Sequence, residues 1–443
     1  MNTPIADFLR QYADESVTRF HVPGHKGISF LGCERLDLTE IKGADSLYEA
    51  DGIIAESEAN ATRLFGAQRT LYSTEGSSQC IRAMLYLALT HREEGTPPVI
   101  VAARNVHKAF VYAAALLDFE VVWLWPEEQR SLCACPVSPE QLERTLVGLE
   151  SPPAAVYLTS PDYLGGMAEI PALAEVAHRH GTRLLVDNAH GAYLHFLQPS
   201  LHPLDLGADL CCDSAHKTLP VLTGGAYLHI GKRLPAAYGD DAKTALALFG
   251  STSPSYLTLA SMDLCNQYLA DGYTDRLAAR TARLEELRNG LRDAGWMVEE
   301  SDPLRITLRA SEALTGFELA ERLREHRIEC EYADDFYLVL MITPENPVED
   351  LQKLTAALGR NASPAVGANQ LPTIRSERVT SIREALFAPH ESVSPEAALG
   401  RICGAPTVSC PPAIPIAVSG ERIGPEMVEW FRHYGGSSID VLK

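Results

Sequence analysis

Leu184-Leu185-Val186-Asp187-Asn188-Ala189-His190 is followed, one apolar run later, by Ser214-Ala215-His216-Lys217-Thr218-Leu219-Pro220. A Ser-x-His-Lys cluster alone carries little information. Here an Asp ends the first apolar run, and a Lys follows the second inside a cluster of Ser and His. That ordered pair suits an enzyme holding pyridoxal 5′-phosphate. A lysine amine forms a Schiff base with the cofactor, while a carboxylate pairs with the pyridine nitrogen and keeps it protonated. The ring draws electrons only while that nitrogen is cationic, so the carboxylate is a chemical requirement. Lys217 and Asp187 are the first candidates for catalysis and cofactor binding.

Around this pair, apolar strand-like runs alternate with helix-period segments from about Ala55 to Ile230. Strands are expected at 99–103, 120–124, 155–159, 183–187, 209–213 and 225–229, each continuously apolar as strands covered on both faces are. Between them, Pro171 to His180 carries Leu173, Val176 and Ala177 at helical spacing, with Gly181 as a stop. Such alternation predicts an α/β fold, a mostly parallel sheet wrapped by helices, with ligands at the carboxyl ends of the strands. Asp187 ends its strand there. After a helix expected over 274–293, shorter runs at 304–308, 316–326, 328–332, 336–342 and 348–358 read as a separate small α/β domain. The expected divisions are an N-terminal arm (1–55), a cofactor-binding large domain (56–272), the small domain (273–360) and a linker with a C-terminal segment (361–443).

The chain has 443 residues, 46% hydrophobic and 22% charged, enough for a large domain plus smaller ones. Its net charge of −20 argues against nucleic-acid or anionic-membrane partners. The N-terminus lacks the pattern of a secretory signal, and no apolar run reaches the ~18 residues of a membrane span. Ten cysteines are scattered, several in apolar strand-like runs (Cys211, Cys212, Cys330), and Cys133-x-Cys135 has no second pair at zinc-site spacing. A reducing cytoplasm is the expected compartment.

Gly76-Ser77-Ser78 opens a helical pattern from Gln79 to about His91. A Gly and two hydroxyls at a helix start form an anion cradle, reinforced by the positive end of the helix; an ordinary Ser cap is the competing reading. Ser214, His216 and Thr218 are within reach of the same phosphate. His190 either holds Asp187 in place or caps the next helix. His107 either lays its imidazole over the pyridine ring or merely starts a helix. His21-Val22-Pro23-Gly24-His25-Lys26 has metal-site spacing, but Pro-Gly prevents a helix from presenting both rings on one face, so no metal is expected. A rigid basic loop reaching an active site, its own or a partner subunit's, fits better.

The stretches His21-Val22-Pro23-Gly24-His25-Lys26, Asp37-Leu38-Thr39-Glu40-Ile41, Asp187-Asn188-Ala189-His190-Gly191-Ala192, Ser214 to Pro220 and Ser251-Thr252-Ser253-Pro254-Ser255-Tyr256 together resemble the Orn/Lys/Arg decarboxylase family, major-domain type. The resemblance covers about 20–270, returns weakly near 400–424, and is to the short form. It implies the aspartate-aminotransferase-like fold (fold type I), with a mostly parallel seven-stranded sheet and a small C-terminal α/β domain. It further implies that Lys217 carries pyridoxal 5′-phosphate, Asp187 pairs with its ring nitrogen, His107 stacks on one face and Ala189 packs beneath the other. Gly76, Ser77, Ser78, Ser214 and His216 then hold the phosphate, and Thr252 reaches the phosphate of a neighbouring subunit, which implies a homodimer or higher homo-oligomer.

The implied reaction is α-decarboxylation of a small-molecule amino acid, basic by family (lysine, arginine or ornithine), as in polyamine biosynthesis. Departures from the family cluster where substrate is expected. Its Tyr-Pro-Pro-Gly-Ile-Pro reads Cys410-Pro411-Pro412-Ala413-Ile414-Pro415, the Asn before the phosphate Gly is Glu75, and its Ser-Pro-Thr-Tyr reads Ser160-Pro161-Asp162-Tyr163. Glu75 and Asp162 either pair with a distal cation or cap loops, and Cys410 either reshapes the pocket or is structural. An aminotransferase or lyase, even one handling a sulfur-containing amino acid, shares the fold and cofactor residues. A non-catalytic cofactor-binding regulator would carry a basic DNA-binding module, and neither terminus shows one.

Overall fold

The computed structural model describes residues 1–311, 313–361, 371–406 and 412–443. Seven strands form one sheet: β1 (Arg69–Ser73), β2 (Val99–Ala103), β3 (Glu120–Leu124), β4 (Ala155–Thr159), β5 (Leu184–Asp187), β6 (Leu210–Asp213) and β7 (Ala226–Ile230), in the order β1-β7-β6-β5-β4-β2-β3. The sheet is mainly parallel; β7 runs against both β1 and β6. The six expected strands all form, with ends within a residue of expectation. β1 was not foreseen. Its Arg-Thr-Leu-Tyr-Ser mixes polar and apolar residues, and it becomes a strand by pairing with β7, Thr70 opposite His229 and Tyr72 opposite Tyr227.

The chain divides into two compact units, one of 1–97, 151–158 and 170–275, the other of 98–150, 159–169 and 276–443. In the first, β5 and β6 are parallel with Asp187 opposite Cys212, and Leu184, Leu185, Val186, Leu210, Cys211 and Cys212 are wholly buried. Helix Ser77–Thr90 packs against β6 and β7. It is apolar nearly all round (Cys80, Ile81, Met84, Leu85, Leu87, Ala88), as a core helix is.

In the second unit, β2 and β3 pair in parallel. A smaller antiparallel sheet comprises β8 (Met297–Val298), β9 (Arg305–Arg309), β10 (Tyr332–Ala333) and β11 (Tyr337–Met341), in the order β10-β11-β9-β8. The strand expected at 328–332 is not formed, and Cys330 precedes β10 rather than lying in it. The cause is local. Helix Gly316–Glu325 ends with Arg327 in the left-handed region (φ 56°), and the Ile328 N–H turns back to the Leu323 carbonyl at 3.0 Å. Nearer the C-terminus, helix Pro425–His433 sets Met427, Trp430 and Phe431 against Ile414, Ile416, Ile423, Ile439 and Val441. Among the described residues no helix is long and apolar enough to cross a membrane.

Candidate active site

The carboxyl ends of β5 and β6 carry Asp187-Asn188-Ala189-His190 and Ser214-Ala215-His216-Lys217. Asp187 is 3% exposed. Its Oδ2 accepts from the Tyr157 hydroxyl at 3.2 Å, and its Oδ1 accepts from the Ala189 N–H at 3.2 Å and the Cys212 thiol at 3.6 Å. Burial pushes the Asp187 pKa up, and the charge of Lys217 opposes that shift. A buried carboxylate so placed is short of positive charge, which a protonated pyridine nitrogen would supply.

After β6 the chain makes one helical turn, Ala215–Thr218, closed by Lys217 N–H to the Ser214 carbonyl at 3.0 Å. Lys217 Nζ lies 3.0 Å from His190 Nε2. His190 therefore meets the lysine amine, an alternative to both roles first considered for it. The Ser214 hydroxyl donates to Ser77 Oγ at 2.9 Å, joining the Lys217 turn to the start of helix Ser77–Thr90. At that start Gly76 has φ 69°, the left-handed region that favours glycine, and no atom stands within 4 Å of where a Cβ would lie. No side chain caps the helix at Gly76, so its N-terminal end can receive an anion. His216 is fixed through Nδ1 to the Gly225 carbonyl at 3.0 Å. These residues fit pyridoxal phosphate in charge, hydroxyls and open space.

Ala189 is buried beside Asp187, whereas Thr252 and Glu75 are exposed. His21 and His25 turn to different partners, Tyr12 (2.7 Å) and Asp37 (3.1 Å).

In the second unit, His107 caps helix Lys108–Leu117, its Nδ1 accepting from the Ala109 N–H at 3.1 Å. The helix-start alternative thus describes its backbone place, and the cap fixes its tautomer with the proton on Nε2. Three residues earlier, buried Arg104 donates to the carbonyls of Pro415 (2.9 Å) and Ile416 (3.0 Å) and to Glu421 Oε2 (3.1 Å). The Lys108 N–H bonds the Ala413 carbonyl at 2.9 Å, so the C-terminal segment lies along the turn that carries His107. Asp162 is buried, and its Oδ1 accepts from the N–H groups of Leu164 (2.9 Å) and Gly166 (2.8 Å), the loop-capping alternative in geometry. Cys410 lies outside the described residues.

Sequence reading missed Tyr157, Cys212, Asn188 and the Arg104–Glu421 pair. Tyr157 and Cys212 sit inside apolar runs like any core residue, and no local signal marks them. Arg104 in a turn straight after a strand was the one available hint.

The model of the Orn/Lys/Arg decarboxylase major domain matches residues 3–311. The chain belongs to the Orn/Lys/Arg decarboxylase family. Members are pyridoxal-phosphate enzymes, and this chain is an amino-acid decarboxylase. It is similar to the arginine decarboxylase of Bacillus subtilis (strain 168), 30% identical over 464 residues, covering 97% of this chain and 92% of that protein. Its fold is similar to that of the Francisella novicida lysine decarboxylase LdcF, with a TM-score of 0.81 at 15% identity over 100% of this chain and 81% of the other. The same fold type I architecture is found in the Sphingomonas wittichii serine palmitoyltransferase, with a TM-score of 0.58 at 16% identity over 81% of this chain and 83% of that one. In open α/β sheets ligands bind outside the carboxyl ends of the strands, where Asp187 and the Lys217 turn stand.

Proposed function

We propose that this decarboxylase acts on a basic L-amino acid, arginine first, with pyridoxal 5′-phosphate held at Lys217. The observation that carries the cofactor assignment is the joining of three stretches at one pair of strand ends: Lys217 on His190, Ser214 on Ser77, and buried Asp187 beside them. Arginine is favoured by the likeness to the Bacillus subtilis enzyme across nearly the whole chain.

When bound, pyridoxal phosphate supplies a ring that accepts the electron pair left behind as CO₂ departs. Lys217 Nζ would carry the cofactor, placed for it by the 3.0 Å contact with His190. Asp187 holds the proton on the pyridine nitrogen, and the Tyr157 hydroxyl and Ala189 N–H keep its carboxylate aimed. Ser77, Ser78, Ser214, His216 and the N-terminal end behind Gly76 hold the phosphate. By the family resemblance, His107, its tautomer fixed by the cap, would stack on the ring and Ala189 would pack against it. The Lys217 amine, steadied by His190, would return a proton to Cα. Which bond at Cα the pocket orients for cleavage would select decarboxylation over transamination.

The working form is a cytoplasmic homodimer in this proposal, with Thr252 reaching the partner's phosphate. Phe20 (94% exposed), Leu31 (89%) and Phe30 (78%) support it, because so apolar a segment calls for cover. The deciding experiment is CO₂ release from a panel of L-amino acids by the cofactor-loaded protein. Release from arginine is expected. Release only from a neutral or sulfur-containing amino acid refutes the basic substrate, and keto-acid production without CO₂ refutes decarboxylation.

A further inference from the structure

Directly behind the Lys217 turn lies a buried polar cluster that the reaction does not use. Asp213, the last residue of β6, is wholly buried. Its Oδ2 lies 3.1 Å from His202 Nε2 and 3.0 Å from His229 Nε2, and its Oδ1 accepts from Asn188 Nδ2 at 2.7 Å. The outer nitrogens of both rings are also engaged. His202 Nδ1 accepts from the Leu204 N–H at 3.3 Å, and His229 Nδ1 lies 2.9 Å from Thr70 Oγ1. Phe65 packs on both rings, at centroid distances of 6.0 Å and 4.7 Å. Burial alone would raise the Asp213 pKa, yet the two histidines hold it below the usual carboxylate range.

A carboxylate, two imidazoles and an amide are an expensive way to fill a core; apolar side chains of the same volume are often as stable or more so. Their position suggests what they are for. Asn188 follows Asp187, and Asp213 precedes Ser214. The Asn188–Asp213 bond, beside Asn188 N–H to the Cys212 carbonyl at 3.0 Å, is thus a side-chain tie between the stretch bearing Asp187 and the stretch bearing Lys217, behind the Lys217–His190 and Cys212–Asp187 contacts at the site itself. Asn188 packs so closely on Gly191 that a Cβ there would overlap Asn188 Oδ1, so this conformation of Asn188 requires glycine at 191.

We propose that Asn188 and Asp213, braced by His202 and His229, are positioning residues that fix the placement of Asp187 relative to Lys217. The inference rests on the cofactor assignment above. His202, Cys211 and Asp213 also bring potential ligand atoms within 4.8 Å of one another. The two imidazole–carboxylate separations are hydrogen-bond lengths with the outer nitrogens already engaged, so the cluster is read as hydrogen-bonded rather than metal-binding.

The test uses the full-length protein as wild type, Asn188→Ala, Asp213→Ala and the double variant. Hydrogen exchange on the cofactor-free protein should show faster exchange in peptides spanning both 185–191 and 211–217 of each variant. With cofactor loaded, borohydride should still fix it to Lys217, while the visible circular dichroism of the bound cofactor weakens. In each single variant kcat should fall about tenfold to a hundredfold with KM within about threefold, the signature of misplacement rather than lost binding. The double variant should lose no more than the worse single one, because both cut the same tie. Unchanged exchange, unchanged dichroism and kcat, losses that multiply, or a stoichiometric transition metal in the purified wild type would each overturn the proposal. If wild type neither binds the cofactor nor releases CO₂, the functional reading fails, and the exchange arm still judges the tie.

Discussion

Asp162 is where substrate recognition and loop architecture make opposite predictions, and replacing it with asparagine separates them. Burial raises its pKa from an ordinary 3.8 to about 6, although the Gly166 N–H and Arg305 pull the other way. For a carboxyl group whose pKa rises on folding, the folded state holds its proton more tightly than the unfolded chain does. Stability from this group is therefore present at low pH and lost as pH climbs from 3.8 towards 6. Integrated between about pH 4.5 and about pH 7.5, the loss is about 2 kcal/mol. The amide of Asp162→Asn would keep a carbonyl oxygen for the Leu164 and Gly166 N–H groups and carry no charge at any pH. The stability of Asp162→Asn minus that of wild type, from urea unfolding at the two pH values, should thus move in favour of the variant by about 2 kcal/mol at the higher pH. The pH dependence of every other group cancels in that difference. KM for arginine should change less than about threefold, since the oxygen serves its own loop. A flat stability difference across pH, with KM for arginine raised about tenfold or more, would refute the loop-cap reasoning and return Asp162 to the substrate.

Lys217→Ala should abolish turnover and the visible absorption of the lysine-linked cofactor; borohydride labelling of a different lysine in the wild type would refute the assignment. Asp187→Asn should retain the cofactor but lose about 10²–10³ in kcat, because a buried charge partner worth several kcal/mol is gone; steady-state kinetics with a near-normal kcat would count against it. Glu421→Gln leaves buried Arg104 without its counter-ion (side chains 5% and 4% exposed), so chemical denaturation should show a loss of about 3 kcal/mol. Because Arg104 also holds the Pro415 and Ile416 carbonyls, limited proteolysis of Glu421→Gln should cut sooner near 413–421 than in wild type.

The strands that build the main sheet were legible because burial on both faces leaves short, continuously apolar runs, and Leu184–Val186 and Leu210–Cys212 are such runs. Asp187 and Lys217 stood out in the sequence for a chemical reason: few circumstances place an Asp at the end of one such run and a Lys in a Ser/His turn after the next. The start of helix Ser77–Thr90 was readable from Gly76, which lacks a Cβ and so takes the left-handed turn that opens it.

What the sequence could not give was any property created by pairing. β1 is a strand only because β7 lies beside it, and the run at 328–332 is not one because Ile328 is bound back to the preceding helix. Tyr157 faces Asp187 through strand order, and Arg104 meets Glu421 across most of the chain. Asp162 read either as a partner for a distal cation or as a loop cap, and its carboxylate is bonded to the Leu164 and Gly166 N–H groups, a pairing that only the folded loop makes. Asn188 and Asp213 looked like neighbours of important residues and proved to be bonded to each other. Residue types and their spacing determined the strands and the cofactor chemistry, because burial and reactivity are properties of short segments. Only the tertiary structure decided the partners, because a hydrogen bond between distant residues depends on register and strand order, which no single segment encodes.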